Sequence, residues 1–478
     1  MNPTEEQSAI NQSTENELIV QALSGTGKTS TLVTYAKARP NERMLYLALN
    51  KSAATDAAKR FPSNVVCKTT HALAFPRFGS KYVKKLGDLK PNTISRHYNV
   101  PAKEAQDAIG IVTGFIGSWL TRFDQISTRP GREAAEALAE RLWNDMQDEE
   151  NLDIPQTHDG YLKLYQMSNP ELHYRRILLD EAQDSNPAVI NIVSNQGRAG
   201  KVIVGDPNQQ IYAFRGAINA MSQFNGPIYP LTQSFRFGEA VADLANAILS
   251  LKAETLILRG AGPDTKLVRQ PPANLSGWMQ ISRTNAGVFQ QVVNAINSNP
   301  TGSADLYFVG GSRGYRFDRI LDAWHLKNDR LGDMQDRYLA SFKSFNYMEQ
   351  VGNETDDPEL KMIARVVKEF GSLIPKLISQ VQSRETNDAA KAAHCFSTAH
   401  KSKGLEFAHV TMSDDFPTIA DLREQISDNK GSLTIATANE INLLYVAATR
   451  AIHSLAPGAD LNLFTAEYHA SRQMREFA

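Results

Sequence analysis

The stretch NELIVQALSGTGKTSTLVTYAKA, residues 16–38, restricts the fold more than any other part of this chain. An apolar run leads into a glycine turn, and a helical pattern follows at once. This order is that of a P-loop in a parallel α/β sheet. Gly25 and Gly27 let backbone N–H groups turn toward phosphates, and the helix that starts there presents its positive end to the same anion. Lys28 supplies charge to the terminal phosphates, and the Thr29 hydroxyl is a ligand for Mg²⁺. The nucleotide-contacting set of this segment is Ala22, Ser24, Gly25, Thr26, Gly27, Lys28, Thr29 and Ser30.

The same alternation recurs. ERMLYLALNKSAATDAAKRF reads strand then helix, and NVVCKTTHALAF starts another strand. After an interruption come YRRILLDEAQD and GKVIVGD. The first of these ends in Asp180-Glu181, at a strand end, where a parallel sheet presents ligand groups. Beside a P-loop, Asp180 is expected to hold the metal with Thr29, and Glu181 to act as general base on the attacking water. Arg236 and Arg450 could supply the positive charge that phosphoryl transfer requires. As isolated arginines, on composition alone, they fit surface ion pairs better.

At 478 residues the chain has room for two to four domains. The expected architecture is α/β: two P-loop-type cores with parallel sheets flanked by helices, each with a mainly helical insertion. The expected boundaries are 1–77 and 166–230 for the first core, with 78–165 as its insertion. The second core takes 231–325 and 391–478, with 326–390 as a short insertion. Leu138, Leu142 and Met146 recur every four residues and mark a helix in the first insertion. LILRGAGPDTKLVRQPPANLSG is rich in glycine and proline and reads as loop, and VGNETDDPE reads as a linker.

Composition narrows the class. No apolar run approaches the length of a membrane span. The acidic, polar start is unlike a signal peptide. Two distant cysteines, Cys67 and Cys395, make neither a zinc motif nor a disulfide framework, so a reducing cytoplasm is expected. A net charge of −1 argues against a protein that coats nucleic acid, though not against a narrow basic groove.

The ordered motifs resemble those of UvrD/Rep-type superfamily-one DNA helicases, most nearly the F-box DNA helicase branch and its bacterial and phage relatives. NPTEEQ, SGTGKT, ALNKSAA, KTTHALAF, LLDEAQD, GDPNQQIYAFRGA, LTQSFRF, ISRTN, TAHKSKGLEF and LLYVAATRA follow the family order. THDGYLKLYQ, residues 157–166, is similar to the F-box branch in particular. The resemblance implies two RecA-like cores that bind ATP and Mg²⁺ in the cleft between them. It implies that Gln7 reads adenine, Gln209 senses the γ-phosphate, Glu406 meets the ribose and Phe235 stacks on the base. Arg236 and Arg450 become arginine fingers. A single DNA strand is implied along Asn50, His71, Tyr212, Phe214, Arg215, Arg283, Asn285 and His400. Two departures stand out: Ser30 replaces an arginine that covers the adenine in many relatives, and Ala48 replaces an aromatic or hydroxyl residue.

The expected function is an ATP-dependent, 3′-to-5′ helicase and translocase acting on single-stranded and tailed duplex DNA as a monomer. The competing reading is a DNA-stimulated ATPase that remodels protein–DNA complexes and unwinds little alone. In GDPNQQIYAFRGA, Gln209 lies close to Tyr212 and Phe214, so one segment can join phosphate sensing to base stacking. The two aromatics also fit as core side chains. Stacking on a base is worth roughly 1–3 kcal/mol. Phe214→Ala is therefore expected to weaken single-strand affinity by about ten-fold, measured by fluorescence anisotropy. Unchanged affinity with a lowered Tm would assign Phe214 to the core.

Overall fold

Strands made almost wholly of Val, Ile and Leu can be buried on both faces, and that pattern selects a parallel sheet covered by helices. In the computed structural model, residues 3–126, 131–212, 219–272, 275–302, 305–354 and 357–476 are described. The chain divides into two compact units, 1–23 with 27–231, and 24–26 with 232–478. Each unit has its own parallel sheet, as the sequence leads one to expect.

The first sheet has six strands: β1 (Glu17–Ala22), β2 (Met44–Ala48), β3 (Val65–Thr69), β4 (Arg176–Leu179), β5 (Gly200–Gly205) and β6 (Ile228–Leu231). Their order is β3-β2-β4-β5-β1-β6. All of β2, β4 and β5 is buried. The PIYPL segment, at the end of the range expected for the first core, adds β6 beside β1. Parallel pairing brings the loops after β1, β4 and β5 to one edge, so the P-loop, Asp180-Glu181 and the Gln209 segment meet there.

Between β3 and β4 the chain is helical. Helices Ala102–Ile116 and Glu133–Gln147 close a core of their own around Phe115, Leu138, Leu142, Trp143 and Met146. Helix His158–Met167 carries Lys163, whose ammonium is fully buried and donates to the carbonyls of Ser118 and Leu120. With no carboxylate to offset desolvation, burial lowers its pKa to about 8.

In the second unit, β7 (Gln233–Ser234) pairs only with β8 (Arg259–Gly260). The larger sheet contains β9 (Lys266–Leu267), β10 (Trp278–Ser282), β11 (Leu306–Phe308), β12 (Glu385–Thr386), β13 (His394–Thr398), β14 (Phe407–Met412) and β15 (Ala451–Ala456). Its order is β12-β11-β13-β10-β14-β15-β9. The glycine- and proline-rich segment is thus not all loop, since it supplies β8 and the edge strand β9. VGNETDDPE also departs from expectation: Val351–Glu354 end helix Phe345–Glu354, and Pro358 opens helix Pro358–Phe370.

Helix Pro358–Phe370 packs in the apolar cluster with Phe289, Phe317 and Ile320. Its Glu359 accepts a hydrogen bond from the Asn285 N–H at 3.0 Å. Burial pushes the Glu359 carboxyl from 4.5 up to about 7; the Asn285 N–H and Arg319 oppose this, while Asp357 and Asp415 reinforce it. The folded chain therefore holds this proton more tightly than the unfolded one. The resulting stability is complete below pH 4.5 and is lost as the pH rises through 7. Glu359→Gln keeps an acceptor and removes the charge. It is expected to raise Tm at pH 8 by about 2–4 °C and to change it little at pH 4, as read by thermal melts. An equal effect at both pH values would contradict this assignment.

Candidate nucleotide site and strand-contacting residues

Gly27 caps helix Lys28–Lys37 from a left-handed backbone, φ 80°, which turns the chain sharply enough to put Lys28 and Thr29 on the first helical turn. The Thr29 hydroxyl donates to Asp180 Oδ2 at 3.2 Å. The Tyr46 hydroxyl donates to the same oxygen at 2.6 Å, and the Glu181 N–H donates to Oδ1 at 2.9 Å. Tyr46 reaches Asp180 because β2 lies beside β4, with Tyr46 opposite Leu178. Asp180 is buried. Its pKa is raised first by burial and then by the Glu181 charge, against the pull of the Tyr46 hydroxyl and Lys28. Burial and the Asp180 carboxylate together push the Tyr46 phenol far above its usual range. Two carboxylates near one lysine fit a hard dication with oxygen ligands. Thr29 and Asp180 supply two such oxygens, leaving the others to water and phosphate.

Glu181 has φ 49° and ψ 43°, left-handed for a residue with a long side chain. Such a conformation costs on the order of 1–3 kcal/mol and is held by its surroundings. Oε1 lies 4.0 Å from Lys28 Nζ, and Oε2 accepts from Gln183 Nε2 at 2.6 Å. The Gln183 carbonyl oxygen in turn accepts from the Asp206 N–H at 3.0 Å, and Asp206 Oδ2 accepts from Gln209 Nε2 at 2.7 Å. A hydrogen-bonded path therefore joins Glu181 to Gln209. Gln183 and Asp206 were quoted within motifs but given no role by sequence reasoning. Their signal was only a polar residue soon after a buried strand.

Gln7 sits in a capping box with Thr4, its side-chain oxygen accepting from the Thr4 N–H. Ser30 accepts from Arg60 Nη2 at 2.7 Å, so a guanidinium from the end of helix Lys51–Arg60 lies against the P-loop helix where the sequence lacks an arginine. Asn50 caps that same helix through the Ala53 N–H. His71 Nε2 is 3.0 Å from Asp159 Oδ1 and packs edge-on to Tyr161. Ala48 ends β2 and is buried. Tyr212 is partly buried, while Phe214 and Arg215 lie outside the described residues.

Ser24, Gly25 and Thr26 are grouped with the second unit. Within that unit the Ser24 N–H donates to the Tyr445 hydroxyl at 2.8 Å, and Gly25 O accepts from the Phe235 N–H. Two guanidiniums converge on Ser24 Oγ: Arg236 Nη1 at 3.0 Å and Arg450 Nη2 at 3.2 Å. Arg450 is almost wholly buried, its Nε bonded to Val446 O and its Nη1 to Leu405 O. Arg236 also pairs with Glu406 at 3.2 Å, which joins the residue expected as a finger to the residue expected at the ribose. Arg283 makes a two-point ion pair with Glu440, 2.6 Å at Nε, and its backbone N–H donates to Asp415. The Arg283 guanidinium is thus committed within the protein. Asn285 opens helix Asn285–Ser298, and His400 lies on the short helix after β13.

The class is now defined. Two parallel α/β sheets, one carrying a P-loop beside Asp180-Glu181, accompany a match of residues 121–227 to the UvrD/REP helicase N-terminal domain. The sequence resemblance to UvrD/Rep-type helicases is borne out, in the F-box DNA helicase branch. The chain is 31% identical to F-box DNA helicase 1 of Gallus gallus over 495 residues, which span 94% of this chain and 48% of the relative. It is 32% identical to F-box DNA helicase protein 1 of Schizosaccharomyces pombe over 485 residues, 91% of this chain and 54% of the relative. ATP-dependent DNA helicase PcrA of Leuconostoc citreum is 33% identical over 107 residues, 21% of this chain and 14% of that protein. The chain spans about half the length of the F-box relatives.

Glu181→Gln retains shape and the hydrogen bonds of a neutral amide. ATP binding should persist while turnover falls by roughly 10²–10⁴-fold. Lys28→Ala should weaken both binding and turnover. Nucleotide titration and steady-state hydrolysis read the two effects separately, and near-normal turnover in Glu181→Gln would remove it from the role of base.

Proposed function

We propose that this chain is an ATP- and Mg²⁺-dependent DNA translocase and helicase that moves along a single strand from 3′ to 5′. The observation that carries the reading is the cluster of Lys28, Thr29, Asp180 and Glu181, with Glu181 held in a strained backbone and linked through Gln183 and Asp206 to Gln209. The naming of its relatives as DNA helicases supports the substrate class.

In this reading the P-loop helix cradles the phosphates, and Thr29 and Asp180 hold the metal. Glu181 takes a proton from the attacking water. Lys28, Arg236 and Arg450 balance the negative charge that spreads over the transferring phosphoryl group. Gln7, Phe235 and Glu406 hold the base and ribose. Gln209 registers the γ-phosphate, and the segment that follows carries the change to Tyr212 and Phe214 on the strand. Asn50, His71, Arg215, Arg283, Asn285 and His400 complete the track, Arg283 in competition with its pair to Glu440. The protein acts as a monomer in a reducing cytoplasm. Among the described residues no helix is long and apolar enough to cross a membrane.

Polarity tests the proposal. With ATP and Mg²⁺, a duplex bearing a 3′ single-stranded tail should open, and one bearing only a 5′ tail should not. Streptavidin should be cleared from a biotinylated 5′ end in preference to a 3′ end. Clearance chiefly from the 3′ end would contradict the direction. Strand-stimulated hydrolysis without opening of either duplex would favour the remodelling ATPase instead.

A further inference from the structure

Three neighbouring strands of the second sheet, β11, β13 and β10, end at nearly the same level: Phe308 is opposite Phe396, and Thr398 is opposite Ser282. All are parallel, so the chain emerging from each lies on one edge. Two of those segments carry residues already assigned to the strand track, Arg283 with Asn285 after β10 and His400 after β13. The third, VGGSRGYRF at residues 309–317, has no role so far. Gly310 and Gly311 both have positive φ, 78° and 80°, and turn the chain into the short helix Ser312–Tyr315.

This turn is packed around a cation. Lys401, next to His400, places its Nζ 4.5 Å from the centre of the buried Tyr315 ring. A Cβ at Gly314 would lie 2.6 Å from the Lys401 Nζ, so the ammonium sits directly against the backbone of this turn. Burial lowers the Lys401 pKa, and among the described residues no carboxylate pairs with it. Arg313, one residue before Gly314, is exposed and likewise has no carboxylate partner. The other charges nearby are spoken for: Arg316 pairs with Asp318 and Asp336, and Glu385 accepts from the N–H and hydroxyl of Ser312. Because Glu385 takes the Ser312 N–H, the loop offers an anion its side-chain cations rather than its backbone. A partly desolvated ammonium on an aromatic face, on a turn that also carries the exposed Arg313, is an incomplete ion pair.

We propose that Lys401 and Arg313 form a phosphate-binding site that grips the sugar–phosphate backbone of a single nucleic-acid strand, one step further along the edge than His400. The proposal rests on the strand-translocase reading and adds a third strand end to its track. A mononucleotide offers the same phosphate chemistry. The strand is the occupant here because the site adjoins residues assigned to the strand, and none assigned to the nucleotide is on this loop.

The test is fluorescence anisotropy of a labelled oligothymidylate titrated with protein over about 50–300 mM salt. Each single-strand phosphate contact contributes about 0.7 to the slope of log affinity against log salt. Arg313→Gln and Lys401→Gln should each lower that slope by about 0.7, and the double variant by about 1.4. The loss should be the same for strands of different base sequence. Lys401→Arg should retain the slope, and Arg313→Gln, exposed, should leave Tm unchanged, which separates lost contact from lost folding. Normal strand binding with an unchanged slope in the variants overturns this site alone. An effect on ADP affinity in place of strand affinity also overturns it. Failure of the unaltered protein to bind any strand overturns both this site and the translocase reading.

Discussion

The carboxylate of Asp180 is the point on which the first unit is organised. It is buried, and burying an ionised carboxylate is costly unless its oxygens are occupied. Tyr46, Thr29 and the Glu181 N–H occupy them. These partners come from three places: the neighbouring strand β2, the P-loop helix and the next residue along. One acceptor thereby fixes the register of a strand, the placing of a helix end and the direction in which the chain leaves β4. That direction is the left-handed turn at Glu181, which aims its carboxylate at Lys28 and Gln183.

Charge is handled differently in the second unit. Arg236 is held by a hydroxyl, a carbonyl and the exposed Glu406 carboxylate, while the buried Arg450 is bonded to carbonyls and hydroxyls. Arg283 is closed in a two-point pair with Glu440 among Asp415 and Glu359. Any contact it makes with a phosphate competes with that pair for the guanidinium charge. The same helix that contributes Glu359 belongs to the short insertion, so the insertion bears on the ISRTN segment through the Asn285 N–H.

What could be read from sequence was local chemistry. The P-loop, the acidic strand end and the apolar strands are each contiguous, and each constrains its own backbone. What could not be read depended on which strand lies beside which. Tyr46 lies in an apolar strand, and its bond to Asp180 exists only because β2 lies next to β4. Gln183 and Asp206 become a path only because β5 adjoins β4. Lys266–Leu267 is too short for any alternation to show, and only β15 beside it makes it a strand. The missing arginine at Ser30 was legible as a departure. The guanidinium of Arg60 lying there was not, because it arrives from another helix.

The backbone at Glu181 has a consequence for the history of the position. Glycine or asparagine would occupy φ 49° at lower cost than glutamate does. Thermostability alone would therefore favour losing the acid, and a chain released from its task would drift toward a more stable, inert form. On the proposed reading glutamate is kept there against that gradient, which would make this one residue a register of whether hydrolysis is still being selected.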